Sequence, residues 1–205
     1  MKHSNLFKVL GVSLLLSVAS LALKGQEQYR LVNDQYSLKI EGTSNLHDWT
    51  MEAEDISGDV TAEMKSSVLE SFKNATIRVP VEKLESGKRI MNNKTYDALK
   101  SDDHPHIEFQ LKSVEDMYAA GSRFSGTARG NLTIAGKSRM VSIPFSGKIN
   151  GNNQFKVSGD YSLNMTSYDV DPPKAMFGSL TTGDKVTIQY EFVFEQASDM
   201  YTNRK

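Results

Sequence analysis

The stretch Gln154-Phe155-Lys156-Val157-Ser158-Gly159-Asp160-Tyr161-Ser162-Leu163-Asn164-Met165-Thr166 reads as one β-strand with two unlike faces. Phe155, Val157, Tyr161, Leu163 and Met165 share one parity; Lys156, Ser158, Asp160, Ser162 and Asn164 share the other. A period of two sends each set to its own side of a sheet. Working outward, the same alternation returns in Val186, Ile188, Tyr190, Phe192 and Phe194, in Ile107, Phe109 and Leu111, and in Tyr36, Leu38 and Ile40. Many such strands make a sheet with one apolar and one wet face. If that sheet closes on itself, the apolar face becomes an interior, either a packed core or a cavity for an apolar ligand.

Strand-like segments fall at residues 28–42, 47–54, 56–65, 68–81, 107–118, 123–135, 138–150, 154–166 and 184–196. Turn signals stand between them: Glu41-Gly42, Ser57-Gly58, Ala120-Gly121, Ala135-Gly136 and Asn150-Gly151-Asn152-Asn153. Gly136 and Gly151 sit where tight hairpins require a positive φ. Short turns between consecutive strands predict a meander in which sequence neighbours pair. Two segments break the pattern. Residues 86–101 place Ile90, Met91, Tyr96, Ala98 and Leu99 at helical spacing behind Ser86 as an N-cap, and end before His104-Pro105. Residues 167–183, with Pro172-Pro173 and Ala175-Met176-Phe177-Gly178, predict a loop with one helical turn. Both are placed to close or plug a barrel end. An antiparallel barrel of about eight strands has room for one small ligand; a two-sheet sandwich would fill the same apolar face with side chains.

Lys2 and Lys8 followed by the apolar run Val9 to Ala22 read as an export signal, with Ser20-Leu21-Ala22 as small residues for cleavage and Gly25 or Gln26 as later ends. The run is shorter than the about 20 residues a membrane span needs. The chain has no Cys, which removes disulfides, thiolate catalysis, thiolate metal sites and a lipoprotein anchor. An exported chain without disulfides fits a bacterial envelope, and about 180 mature residues suit one domain. The net charge of −1 falls to about −3 when Lys2 and Lys8 leave. Neither sign dominates, which argues against a nucleic-acid partner and gives no support for electrostatic attachment to anionic lipid.

Three blocks carry a resemblance. The first is Gly42-Thr43-Ser44-Asn45-Leu46-His47-Asp48-Trp49 with Ile56-Ser57-Gly58-Asp59-Val60. The second runs from Val79-Pro80-Val81 through Ser86-Gly87-Lys88, Met91 and Tyr96-Asp97-Ala98-Leu99-Lys100 to His104-Pro105-His106-Ile107-Glu108-Phe109. The third is Gly126-Thr127-Ala128-Arg129-Gly130-Asn131-Leu132-Thr133-Ile134-Ala135-Gly136-Lys137 with Val141. Together, in this order, they resemble the YceI-like family across nearly the whole mature chain. The sequence departs from the commoner family pattern at Asp48-Trp49 and at Pro172-Pro173. The resemblance implies an all-β fold: an extended, antiparallel, eight-stranded lipocalin-like barrel with one amphipathic helix and a short helical turn at the barrel end. It implies a signal peptide over residues 1–25 and a lipid-binding barrel over residues 26–205, in the periplasm or secreted. It also implies a polyisoprenoid or similar long-chain lipid held in an apolar tunnel, without catalysis.

The side chains expected to meet such a ligand are His47, Trp49, Met91, Tyr96, Leu99, Phe109, Met140, Phe145, Met165, Met176 and Phe177. Methionine is unbranched and polarizable and adapts to a flexible chain. A head group needs a few polar groups at the mouth; His47, Asp48, Arg89, Lys94 and Lys100 are of the right type. His47 either holds its hairpin through a backbone hydrogen bond or touches the head group. His104 and His106 share a strand face, as a metal site requires, but Pro105 divides them and a third ligand would have to come from His47, Asp102 or Asp103. No metal and no cofactor is expected. His47 and Asp48 are adjacent, so on a strand their side chains diverge, the wrong geometry for a base and its orienter. No nucleophile elbow, His-Glu-x-x-His or phosphate-cradling loop occurs. Two rivals stand beside lipid binding: an envelope or stress protein with a filled core and a protein partner, and a metal-dependent hydrolase. A closed barrel permits a monomer or a homodimer.

Overall fold

Alternation along the chain becomes a closed surface in the structure, a computed structural model that describes residues 25–65, 68–151 and 153–197. The expected leader lies outside these residues except for Gly25, which already begins a strand. The strands are β1 (Gly25–Ser44), β2 (Trp49–Ala53), β3 (Ser57–Lys65), β4 (Val68–Pro80), β5 (Leu84–Glu85), β6 (His106–Ala120), β7 (Arg123–Ile134), β8 (Lys137–Asn150), β9 (Gln154–Asn164), β10 (Lys174–Ala175) and β11 (Leu180–Gln196). Helix α1 spans Arg89–Leu99, and single 3-10 turns occupy Val81–Lys83, Met165–Tyr168 and Met176–Gly178.

The long strands pair antiparallel in the order β1-β3-β4-β6-β7-β8-β9-β11, and β11 returns to pair with β1 from Tyr29↔Gln196 to Ser44↔Thr182. The sheet is therefore an eight-stranded antiparallel barrel, and the sandwich is ruled out. β2 and β3 divide the other edge of β1 between them: β3 pairs with Gly25 to Arg30, β2 with Lys39 to Gly42. A bulge between Leu31 and Tyr36, with Asp34 at φ 63°, bends β1 between the two. The Tyr36 hydroxyl donates to Glu54 O at 2.9 Å across the gap from β2 to β3.

Turn chemistry explains some hairpins and corrects others. Ala135 (φ 47°) and Gly136 (φ 79°) form the two-residue turn joining β7 to β8, with Ile134 opposite Lys137. Between β8 and β9 the positive φ falls on Asn153 rather than on the expected Gly151. Glu41-Gly42 and Ser57-Gly58 are not turns: Gly42 lies within β1 and Gly58 within β3. Each is glycine because an apolar side chain fills the space above it, Trp49 over Gly42 and Ile77 with Phe194 over Gly58.

The inward parity builds two apolar clusters. The larger centres on Tyr29, Phe124, Phe145, Phe155, Phe192 and Phe194 near the β6–β7 and β8–β9 turns. The smaller holds Leu132, Ile134, Val141, Tyr168 and Val170 toward the opposite end. Phe72 meets Phe124, Phe145 and Phe155 with ring centroids 5.5–5.8 Å apart, an edge-on and tilted arrangement that closes that end of the barrel. Burying each such ring contributes about 1.5–3 kcal/mol relative to exposure. Outside, cross-strand ion pairs such as Lys156–Glu191 (2.5 Å) and Arg129–Glu115 (2.8 Å) face solvent and add little to stability.

Helix α1 lies at the open end. Its N-cap is Lys88, whose side chain makes no capping bond, rather than Ser86. Ser86 instead accepts from Lys88 N and donates to Asn92 Oδ1 at 2.6 Å. Asn92 is buried, receives Ser86 N–H at 2.9 Å and donates to Glu85. Thr95 Oγ1 donates to Met51 Sδ at 3.3 Å. These contacts lash the helix to the β5 edge and the barrel wall.

Candidate functional site

Between the aromatic floor and helix α1 the barrel encloses a cavity of about 860 Å³. Its size lies toward the upper end for small-molecule sites. The wall is the inward parity of the strands: Phe155, Val157, Tyr161 and Leu163 from β9, Val186 to Phe194 at alternate positions from β11, and Ile107, Phe109 and Leu111 from β6. After the β6 bulge the inward position passes to Val114. Ala75 and Ala128 supply small side chains where width is kept open. The interior is not filled with protein.

Polar groups gather in two places. Tyr161 and Tyr168 face the cavity and make no side-chain hydrogen bond to a described residue. Burial pushes the Tyr168 phenol up to about 12 and raises that of Tyr161, with the Arg139 guanidinium opposing both. Tyr190 is raised by burial and then by Asp160, and its hydroxyl donates to Pro144 O at 3.2 Å. The other group is the mouth, where His47, Lys88, Arg89, Ile90 and Lys174 line the cavity while exposed to solvent.

His47 is held by its own loop and stands at the cavity mouth. Its Nδ1 lies 2.8 Å from Asp48 O, its backbone N–H donates to Ser44 Oγ at 3.1 Å, and its ring lines the mouth. Trp49 Nε1 donates to Thr43 O at 3.0 Å, which fixes the indole at the cavity edge. Asn45 ties this loop to the start of β11, with Nδ2 donating to Ser179 O at 2.8 Å and Oδ1 accepting from Thr181 N at 3.0 Å.

Of the residues expected at the ligand, the structure brings His47, Trp49, Met91, Leu99, Phe109, Phe145 and Met165 to the cavity wall. Tyr96 does not line it; its hydroxyl turns to Glu82 O, Leu84 O and Glu85 Oε1 at 3.0–3.1 Å. Met140 has the outward parity of β8, where Val141, Ile143 and Phe145 point in, and is 54% exposed. Phe177 stands fully exposed at a hairpin tip. The side chain of Met176 lies outside what is described. Of the polar candidates, Arg89 and Lys94 line the mouth, whereas Asp48 and Lys100 do not. Residue type nominated Met140 and Phe177, and parity would have corrected the first. The same parity would have added Tyr161, Leu163, Ile188 and Tyr190, which the sequence reading left out of the site.

The His104 ring lies over Gly136, so close that a Cβ there would stand 2.5 Å from two ring atoms. Among the described residues no group of three or more His, Cys, Asp or Glu is placed to hold a metal ion.

An eight-stranded barrel with a closed aromatic floor, an apolar interior and a helix beside its mouth has the architecture of a lipocalin-like barrel. The chain belongs to the YceI-like family: the YceI-like domain matches residues 29–194, almost the whole barrel. Among solved structures it is similar to BcnA of Burkholderia cenocepacia, with 18% identity, a TM-score of 0.63, and coverage of 80% of this chain and 98% of that one. It is also similar to a polyisoprenoid-binding domain from Saccharophagus degradans, with 11% identity, a TM-score of 0.66, and coverage of 82% and 98%. A mutant YCEI protein of Campylobacter jejuni shares 15% identity at a TM-score of 0.53, covering 72% of this chain and 84% of that one. At these identities the likeness is one of fold. No curated protein matches the chain in sequence.

Proposed function

We propose that this protein is an exported, non-catalytic carrier that holds a polyisoprenoid or similar long-chain lipid in its barrel. The observation that carries the reading is the cavity of about 860 Å³ with a continuous apolar wall inside a closed barrel. A lipid chain in such a space is removed from water over its length, at roughly 25 cal/mol per Å² of apolar surface. The Saccharophagus degradans neighbour, described as polyisoprenoid-binding, supports this choice of cargo. The apolar leader-like run supports export to a bacterial envelope. The open interior speaks against the filled-core rival. The test is organic-solvent extraction of the purified protein followed by mass spectrometry. A stoichiometric isoprenoid, quinone or fatty chain is expected. An extract that stays empty after refolding with these lipids would retire the reading.

A further inference from the structure

Charge is distributed unevenly around the cavity. Its charged lining residues are Lys88, Arg89, Lys94 and Lys174, and no Asp or Glu is among the lining residues. The side chains of these four make no hydrogen bond or ion pair to a described residue. Elsewhere on the barrel, Arg78, Arg129, Lys137 and Lys156 each reach a carboxylate on a neighbouring element. Lys88 and Arg89 also open helix α1, where a cation opposes the helix dipole and no acidic residue offsets it. Asp48 and Asp171 adjoin the rim in sequence but do not line the cavity.

Apolar side chains collect at the same place. Of the five exposed large hydrophobic residues among those described, three adjoin the mouth. Leu46, 69% exposed, precedes His47; Ile90, 76% exposed, lines the mouth itself. Phe177 stands at the tip of the β10–β11 hairpin, whose base contributes Lys174 and Leu180 to the lining. Phe177 adopts φ 55°, ψ 32°, a left-handed conformation unfavourable for a bulky residue, and has no side-chain burial to compensate. A ring held out in water by a strained turn has its use against something outside the chain.

We propose that the mouth of the barrel is a docking face for an anionic lipid bilayer. Leu46, Ile90 and Phe177 enter the interfacial layer while Lys88, Arg89, Lys94 and Lys174 meet lipid phosphates, setting the opening against the source of the cargo. The proposal rests on the lipid-carrier reading above. Basic residues beside apolar ones suit a negatively charged interface, and each contributes about a fivefold gain in partitioning. The net charge of −1 gives no sign of this, because it sums the whole chain and not the four cations at the mouth.

The test uses the chain without residues 1–24, since β1 to β11 close on one another within Gly25–Gln196. Sedimentation with vesicles of phosphatidylcholine, alone or mixed with phosphatidylglycerol, reads docking. Uptake of a fluorescent fatty acid from detergent, without vesicles, reads the cavity. The wild-type chain is expected to sediment with the anionic vesicles only, less so as salt rises. K88Q/R89Q/K94Q/K174Q should lower that partitioning by about six hundredfold. L46S/F177S, which alters no lining residue, should lower it while leaving probe uptake and the thermal transition unchanged. Wild-type binding indifferent to phosphatidylglycerol, or either variant binding like wild type, overturns the proposal. The readouts fail separately: uptake without docking retires the docking face, and docking without uptake retires the cargo.

Discussion

Trp49 occupies the room that a side chain at Gly42 would need; a Cβ placed there would stand 2.1 Å from Cζ2 of the indole. The two are paired across β1 and β2, and the indole both lines the cavity and donates to Thr43 O. Trp49 is the sole tryptophan of the chain. The prediction is that Gly42→Ala displaces the indole, at a cost of about 1–3 kcal/mol. Chemical denaturation followed by tryptophan emission reads both effects. An unchanged midpoint and emission maximum would show that the contact carries no weight.

Ala128 is a small inward residue on β7 that lines the cavity. Ala128→Phe should fill space rather than break the wall. Excluding about two methylenes of a bound chain, at about 0.8 kcal/mol each, weakens binding roughly tenfold. Titration with acyl chains of increasing length should show the loss growing with length, at little change in the thermal midpoint. A uniform loss across lengths would place the chain elsewhere.

Asn92 is the buried polar anchor of α1, held by Ser86 and Glu85. Asn92→Leu leaves the Ser86 N–H and hydroxyl and the Glu85 carboxylate without this partner. A loss of about 1–3 kcal/mol is expected. Hydrogen exchange should localise it to Arg89–Leu99, with the strands protected as before. Because the helix borders the mouth, release of bound lipid should also quicken.

Alkaline pH gives a fourth prediction. Burial raises the Tyr168 phenol to about 12 from the ordinary value of 10.0. The folded state therefore keeps its proton where the unfolded state has lost it. This contribution is complete below pH 10 and is lost as pH rises toward 12, on the order of 2 kcal/mol for this residue. Tyr190 and Tyr29, also raised by burial, act in the same direction. Urea midpoints should stay level through pH 9 and then fall. Tyr168→Phe should flatten that fall; an identical profile would assign it to other groups.

Parity made the barrel legible. Phe155, Val157, Tyr161 and Leu163 were assigned one face from spacing, and all four line one cavity. The helix was legible because Met91 and Leu99 return at helical spacing. Local signals failed where distant partners decide. Gly42 and Gly58 read as turns because their glycine character answers to Trp49, Ile77 and Phe194, contacts absent from a local window. Met140 was nominated for its chemistry and proved outward. Asn92 carried no signal, since a buried amide in a helix resembles a solvated one until Ser86 and Glu85 close around it. The collected charge at the mouth was equally invisible, because Lys88 and Lys174 come to line one cavity only in the fold.

The seam between β1 and β11 sets a clock on assembly. Gln28 O accepts the backbone N–H of Ala197 at 2.8 Å, so the first described strand is finished by the last. A ribosome delivers those partners well over a hundred residues apart. Until β11 arrives, β1 keeps an open edge and the interior has no final wall. Such distant pairing belongs to the slow class of folding, ~milliseconds to seconds. The vessel is sealed by the last strand of the barrel to be made, and it is unable to enclose a guest before that.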